Sequence, residues 1–530
     1  MISTRRWLWT IAALLFATTA LAQEYRGRVQ GSLSDEAQLA VPGAQVTLRN
    51  DATGVASTRT TGPEGRYLFD YVDPGTYTIT AELNGFTTVV QRNVIVQARG
   101  DVTADVTMKV ASMAETVTVT ASPVAIQFNT STKDLTLDQK AVQSLPMISR
   151  NPTQLAYLSP VVRNAGNKNE TSPYHHWAGN DMDVGGGTYR RNDVLLDGTP
   201  LEAGPKVAYT PPMDAIAEFN VATNAVDAEY GHSAGGIITM SLKSGTNQYH
   251  GSGYFVGRNP DWNAVTNRVT RQHSDNTYSQ GGGTLGMPLR RNKVFLFGTL
   301  ESSRVTEVLP RSLTLPTTLE RQGDFSQSFN RDGTLRVIYD PWTSHFAPDG
   351  RTIIRDAFPG NRVPRERWDP LASRLIQSLW NPNGAGDDRT GLNNFKYNQE
   401  YAFRYVNFST RLDWNISDRW KTFARVSRFR TDQDMPDYTG GADTFKLRPQ
   451  QGSKRNGWNI AADTVYTMNS TTAFNLRGAY YQVEDKRDYP DLAVSADDYR
   501  SLWPDAWYEP YMAGRPILYF PAINMGNYGT

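Results

Sequence analysis

Apolar and polar residues alternate strictly in the second half of the chain. Between 406 and 414, Val406, Phe408, Thr410, Leu412 and Trp414 fall on one face, while Asn407, Ser409, Arg411 and Asp413 fall on the other. A strand turns successive side chains to opposite sides, so this period of two predicts a β-strand with two unlike faces. After a short polar turn at 415–418, Trp420, Thr422, Ala424 and Val426 lie opposite Lys421, Arg425 and Ser427. A second hairpin repeats the pattern. Trp458, Ile460, Ala462 and Tyr466 lead through Asn469-Ser470 to Phe474, Leu476 and Tyr480, with Asn475 and Arg477 opposed. Spans of about ten residues with one apolar and one polar face suit a membrane barrel. An antiparallel sandwich in water alternates too, so the pattern by itself leaves both architectures open.

The earlier part of the chain reads differently. Between 23 and 108, short β runs at 25–29, 45–49, 55–60, 66–69, 76–82 and 94–97 are punctuated by Pro42-Gly43, Asn50-Asp51, Gly62-Pro63, Asp73-Pro74-Gly75 and Asn84-Gly85. Short strands at such spacing predict a small β-sandwich. The linker at 109–125 carries a bare strand, Glu115-Thr116-Val117-Thr118-Val119-Thr120-Ala121. An unpaired strand offers its backbone N–H and C=O groups to a partner. The other reading is a final, already paired strand of the sandwich. From 126 to 245 the chain mixes a short helix at 137–145, stopped by Pro146, a short element at 153–158 and β runs at 194–196 and 215–222, which is α+β in character. Residues 309–396, rich in Pro, Arg, Asp and Gly, read as one long loop. Loops this long are usually functional or disordered.

The two regimes meet at 228–251, AEYGHSAGGIITMSLKSGTNQYHG. Ile237, Ile238, Thr239 and Met240 favour extended backbone, Gly235 and Gly236 permit close approach, and Ser244-Gly245-Thr246-Asn247 signals a turn. This set, together with Glu229, Tyr230, Gly231, His250 and Gly251, resembles the end of the plug and the start of the barrel in TonB-dependent outer-membrane transporters of the Oar-like subgroup. NPTQLAYLSP, NDVLLDGTP and DAIAEFNVATNAVDAEYG follow in the family's plug order, although Gly187-Thr188-Tyr189-Arg190 departs from its frequent G-x-R triplet. VPGAQVTLRN and TGPEGRYLFDYVDPGTYTITAELNGF are similar to the carboxypeptidase regulatory-like domain, of the carbohydrate-binding-like fold group, and ETVTVTA is similar to the TonB box.

The resemblance implies a mostly β chain: an N-terminal sandwich at 23–108, an α+β plug at 126–245, and from 246 the first part of a transmembrane antiparallel β-barrel, with an extracellular loop at about 309–396. It also implies the outer membrane of a Gram-negative bacterium, with the sandwich in the periplasm. The partners implied are TonB with its inner-membrane energising complex, outer-membrane lipid, and an imported siderophore, oligosaccharide or peptide. A barrel of about 22 strands needs about 220 residues in strands alone. The portion after 245 supplies too few once its loop is set aside, so the expectation is an incomplete barrel of about eight to ten strands.

Composition narrows the field. Lys and Arg number 54 and Asp and Glu 53, which leaves no basic footprint for nucleic acid. Aromatic residues make up 11% of the chain, which suits the interfacial girdles of a barrel. There is no cysteine, so disulfides, thiol nucleophiles and a lipoprotein anchor are excluded. Residues 1–22 read as a secretory signal, with Arg5 and Arg6 ahead of an apolar core and Ala20-Leu21-Ala22 closing it.

Tyr174, His175, His176 and Trp177, with Asp181 and Asp183, form the densest group of potential ligands. Adjacent histidines point opposite ways in an extended chain, and the spacing fits no rigid metal site. A substrate-contacting plug loop is expected there instead. The G-x-G-x-x-G run at Gly281, Gly283 and Gly286 lacks a following helix, which argues against a dinucleotide cofactor. No H-x-x-E pair supports a peptidase, and without an aromatic platform the sandwich reads as a spacer rather than a sugar binder. No catalytic constellation is recognisable, so an enzyme is not expected. The leading expectation is a TonB-dependent importer. The competing one is a surface-exposed or secreted carbohydrate-binding or adhesion protein without transport, which deletion of residues 116–120 would leave active.

Overall fold

The computed structural model describes residues 24–110, 116–120, 133–147, 150–164, 182–187, 191–203, 206–207, 209–224, 235–262, 276–434, 452–469, 472–488, 497, 500 and 509–512. Near its N-terminus, β1 (Gly27–Asp35), β2 (Gln45–Asn50), β3 (Ala56–Thr60), β4 (Arg66–Val72), β5 (Gly75–Glu82), β6 (Thr88–Val96), β7 (Asp101–Thr103) and β8 (Val106–Met108) form two sheets. One has the order β4-β1-β7 with β8 also on β1, and the other runs β3-β2-β5-β6. Alternate residues of both, among them Val29, Leu33, Val46, Leu48, Phe69 and Ile79, share one buried core.

The linker strand joins this unit. β9 (Thr116–Thr120) pairs in parallel with β6, from Thr88 opposite Thr116 to Arg92 opposite Thr120. The expectation of a bare strand is therefore corrected on one edge: β6 ends its sheet, and its outer N–H and C=O groups take β9 as their partner. The opposite edge of β9 pairs with no strand among the described residues.

The next unit contains β10 (Lys133–Asp138), α1 (Gln139–Ser144), a 3-10 turn at Pro152–Leu158, β11 (Val162–Asn164), β12 (Met182–Val184), β13 (Asp193–Leu196), β14 (Thr199–Pro200), β15 (Glu202–Ala203), β16 (Lys206–Val207), β17 (Ile216–Asn224) and β18 (Ile237–Leu242). Its main sheet has the order β10-β17-β18-β13-β14. The helix begins later than the sequence suggests because the Asp138 carboxylate accepts from the Ala141 N–H as an N-cap, leaving Leu137 in β10. β13 and β18 are buried along their whole length, so they read as apolar runs rather than alternating strands.

Among the described residues from 250 onward, seven antiparallel strands form one sheet, each paired with the next. They are β19 (His250–Arg258), β20 (Thr277–Arg290) and β21 (Val294–Leu313), then, beyond a long loop, β24 (Phe395–Ser417), β25 (Trp420–Asp434), β26 (Gly452–Thr467) and β27 (Ala473–Asp488). The loop contains the small pair β22 (His345–Phe346) and β23 (Ile353–Ile354) and the helix α2 (Pro370–Ser378). The loop is shorter than expected, because β21 and β24 stay paired out to Leu313 opposite Phe395. The loop carries its own order. The Arg321 guanidinium donates to the carbonyls of Pro316 (3.0 Å), Ile376 (2.7 Å), Leu379 (3.1 Å) and Trp380, which satisfies carbonyls at the end of α2 that no helical N–H reaches. Gly281, Gly283 and Gly286 lie inside β20, in extended pairing rather than in a phosphate loop.

Burial along this sheet runs opposite to that of a water-soluble sandwich. On β24, Val406, Phe408, Leu412 and Trp414 are 37–48% exposed, while Asn407, Ser409 and Arg411 are at most 4% exposed. On β25, Trp420 is exposed and Arg425 fully buried; on β27, Phe474, Leu476 and Tyr480 are exposed. Trp414, Trp420, Tyr466 and Phe474 band one end of the apolar face, with the Trp420 and Tyr466 rings edge to face at 6.1 Å. An apolar outer face with an aromatic band, over a polar inner face, is what a hydrocarbon surround demands.

Candidate functional site

The polar inner face of the sheet is covered by the unit at 133–242, and their contact is a buried polar site. It is built around the Asp197-Gly198 turn between β13 and β14. Both residues take positive φ, 50° and 71°, which closes a two-residue hairpin with Leu196 opposite Thr199. The turn aims the fully buried Asp197 carboxylate at the sheet. Its Oδ1 accepts from the Leu242 N–H at 3.0 Å and from Arg411 Nη1 at 2.9 Å, and its Oδ2 lies 3.5 Å from Arg425 Nη1. Arg425 donates further to Thr199 Oγ1 at 3.0 Å and to Asn459 Oδ1 at 2.8 Å. Arg411 also grips Asp413, which accepts from Ser244 Oγ at 2.6 Å. One carboxylate of the inner unit is thus held between two guanidinium groups of the wall. Buried charges of this kind add little net stability, but removing one partner leaves an uncompensated charge.

Two further contacts fix the same seat. The Tyr405 hydroxyl and the Asn407 side-chain amide both donate to the Thr210 carbonyl, at 2.9 Å and 2.8 Å. On the other flank, Arg150 pairs with Asp214 at 2.9 Å and lies 4.3 Å over the ring of Tyr254, whose hydroxyl donates to Glu301. An apolar layer accompanies them: Phe219, Val221 and Met240 share a buried cluster with Phe297, Phe403, Tyr405 and Phe429 of the sheet.

The junction residues sit beside this seat. Gly236 passes so close to the neighbouring chain that a Cβ would lie 2.1 Å from Val184 and 2.8 Å from the Ala222 carbonyl. At Gly245 a Cβ would fall 2.6 Å from the carbonyls of both Met287 and Leu296, so only glycine lets the connection run past the ends of β20 and β21. Thr246 Oγ1 and His250 Nδ1 are 3.2 Å apart, and Asn247 bridges to Asn292. Gly235 contacts Asn192, and His250 and Gly251 make the first two pairs of β19, opposite Gly286 and Leu285. Glu229, Tyr230 and Gly231 lie outside the described residues, as do Glu115, Ala121, Tyr174, His175, His176, Trp177 and Asp181. Asp183 is described: it lies in β12 and accepts from Arg163 at 3.0 Å. Sequence reasoning missed the roles of Asp197, Arg411, Arg425 and Asn459. A signal was present, since the two arginines fall on the polar face of otherwise apolar strands.

Residues 241–530 match the family model of the outer membrane beta barrel domain. The chain belongs to this outer-membrane β-barrel family. It is accordingly an outer-membrane protein, mostly β, and no helix of the described residues is long and apolar enough to cross a membrane. Residues 28–109 of this barrel protein match the carboxypeptidase regulatory-like domain. A curated relative, the TonB-dependent transporter Oar of Myxococcus xanthus, is 22% identical over 367 residues, covering 64% of this chain and 32% of its own. The chain thus spans about a third of the length of that relative. Similar solved structures include the siderophore receptor PirA from Acinetobacter baumannii, 14% identical with a TM-score of 0.38 over 67% of this chain and 40% of that one. The outer membrane transporter YddB from Escherichia coli is 13% identical, with a TM-score of 0.36 over 63% of this chain and 37% of that one.

Proposed function

We propose that this barrel protein is a TonB-dependent transporter whose plug, residues 126–245, is drawn from the barrel by force applied at 115–121. One observation carries the reading: a folded α+β unit sits on the polar inner face of a sheet whose outer face is apolar, held by the ion pairs of Asp197 with Arg411 and Arg425. An adhesion module has no need of a folded unit inside its wall, whereas an importer must close its pore at rest. The outer face meets outer-membrane lipid. Substrate first touches the loop beyond β21, where Tyr339, Trp342 and Phe346 are exposed, and then the plug loop around 174–183. The imported ligand is a siderophore, an oligosaccharide or a peptide, and no bond in it is made or broken.

TonB engages the Thr116–Thr120 strand by its backbone, either along the edge that β6 leaves open or in place of β6. The test is binding of the periplasmic C-terminal domain of TonB to the full-length protein. Intact protein binds it, and deletion of residues 116–120 lowers affinity at least tenfold. Equal binding after the deletion overturns the assignment of the strand. Absence of any binding by the intact protein overturns the transporter reading and leaves adhesion.

A further inference from the structure

We propose that the N-terminal sandwich is a latched periplasmic gate, held across the plug's exit by Glu24, Tyr25 and Arg26. These residues immediately precede β1, and their side chains bridge the sandwich to the barrel wall: Tyr25 packs with Phe423 and Ala461 of the wall while its hydroxyl donates to Asp73 at 3.4 Å, and the Arg26 guanidinium lies 5.1 Å from the Tyr71 ring. Arg26 Nη1 donates to Asp463 Oδ1 of β26 at 3.0 Å, and Arg477 Nε of β27 donates to the other oxygen of Asp463 at 2.7 Å. Glu24 closes the ring, pairing with Arg26 at 2.8 Å and Arg477 at 3.3 Å. The ring of Tyr25, 1% exposed, has the Arg26 and Arg477 guanidinium groups 5.6 Å and 5.2 Å from its centre and packs with Phe423 and Ala461 of the inner face. The Tyr25 carbonyl accepts from the Arg99 N–H at 3.0 Å, which ties the triad back to the sandwich.

Three more hydrogen bonds tie the sandwich to both plug and barrel. At the tip of the β2–β3 loop, the Ala52 carbonyl accepts from the Asn247 N–H at 3.3 Å and the Thr53 carbonyl from the Asn247 side chain, at the junction itself. Behind them, the Ala98 N–H donates to Glu218 of β17 in the plug at 2.6 Å. The three units line an open cavity of about 480 Å³, whose lining includes Tyr71 and Asp73 of the sandwich, Lys243 and Ser244 at the end of the plug, and Lys421 and Phe423 of the wall. A plug leaving toward the periplasm meets the sandwich, so the sandwich must swing away first. The latch is built to let go: it is three residues long, charged at both ends, and attached ahead of the first strand, so releasing it unfolds nothing.

The gating consequence rests on the transporter reading; the latch itself does not. Because the chain has no cysteine, the pair Ala52→Cys and Asn247→Cys in the full-length protein, joined by a short reducible bismaleimide, reports docking. Docking gives cross-linking within minutes, and Tyr25→Ala or Arg26→Glu slows it at least tenfold while heat-modifiable migration of the barrel is kept. Glu24→Gln, a milder change, slows it less. Failure of the pair to cross-link, or an unchanged rate in both latch variants, overturns the latch. The gate is read in planar bilayers with potassium chloride, where urea loosens the plug and opens conductance. Cross-linked protein gives at least fivefold less urea-induced conductance than the same sample after reduction, and equal conductance overturns the gate. Neither arm uses TonB or an imported ligand, so failure of the transport reading is seen separately.

Discussion

The sandwich and the barrel wall are both antiparallel sheets with alternating side chains, and they bury opposite halves of the alternation. In the sandwich, Val46, Leu48 and Ile79 point inward and are at most 4% exposed. In the wall, Asn407, Ser409, Arg411 and Arg425 point inward, while Leu412 and Trp414 point out. Period two therefore specifies a strand but not which face is covered; the solvent on the far side decides that. The difference also sets what each interior tolerates. The sandwich interior is held by apolar area, whereas the wall's interior adds to its apolar layer paired charges, each of which is costly to leave without its partner.

The sharpest test of that difference is one substitution made in both places. Ile79→Arg puts an unpaired charge into the sandwich core and costs more than about 5 kcal/mol, enough to unfold this unit alone. Phe408→Arg, on the outer face six residues along β24 from the Trp414 band, costs about 2–4 kcal/mol in a bilayer. Limited proteolysis separates the two outcomes. The first variant loses the fragment around 24–108 and keeps a heat-modifiable barrel, while the second keeps the sandwich and assembles less well. Equal damage to the sandwich by both would mean that the outer face of the wall is not a lipid face.

Next in size is the charged seat of the plug. Asp197→Ala leaves Arg411 and Arg425 facing each other with their shared partner gone, at a cost of about 3–5 kcal/mol. The expected outcome is a plug that becomes protease-sensitive at lower urea, with the barrel's own midpoint unchanged. Asp197→Asn keeps the hydrogen bonds but not the charge, and falls between the two. If Asp197→Ala leaves plug sensitivity where it was, the seat is held by the apolar layer around Phe219 and Phe297 instead.

Much of this could be read from residues, and the remainder has physical reasons for being hidden. The strands at 406–414 and 420–426 were legible because one face was apolar and the other not. β7 and β8, three residues each, are too short to show a period. β13 and β18 were located as β from their apolar, β-branched runs, but burial on both faces erased their register. At Asp197-Gly198 the turn was legible, since Asp-Gly is a hairpin signal, while the destination of the carboxylate was not: Arg411 is 214 positions away and meets it only through tertiary packing. Pairing of β9 with β6 was hidden for the same reason, because a linker strand looks alike whether it hangs free or closes a sheet.

The smallest expected effect is in the latch, where sandwich and wall meet. Glu24 faces Arg26 beside it, Tyr71 of β4, and Asp463 and Arg477 of the wall. Burial alone would raise its pKa, but the two guanidinium groups outweigh this and hold it below the ordinary 4.5. A depressed carboxylate pKa contributes stability that is complete above the unfolded value and is lost as pH falls through the folded one. Cross-linking of the Ala52→Cys, Asn247→Cys pair is then expected to be flat from pH 7 to about 5 and to weaken only below 4.5. Asp463 lies in the same ring, so the informative quantity is the difference between the parent and Glu24→Gln at each pH. That difference is full at pH 7, persists at pH 5, and closes below 4.5 as Glu24 takes up its proton. A difference that already closes between pH 7 and 5 would mean that burial, not the arginines, governs Glu24, and that the latch is held by Tyr25 packing rather than by charge.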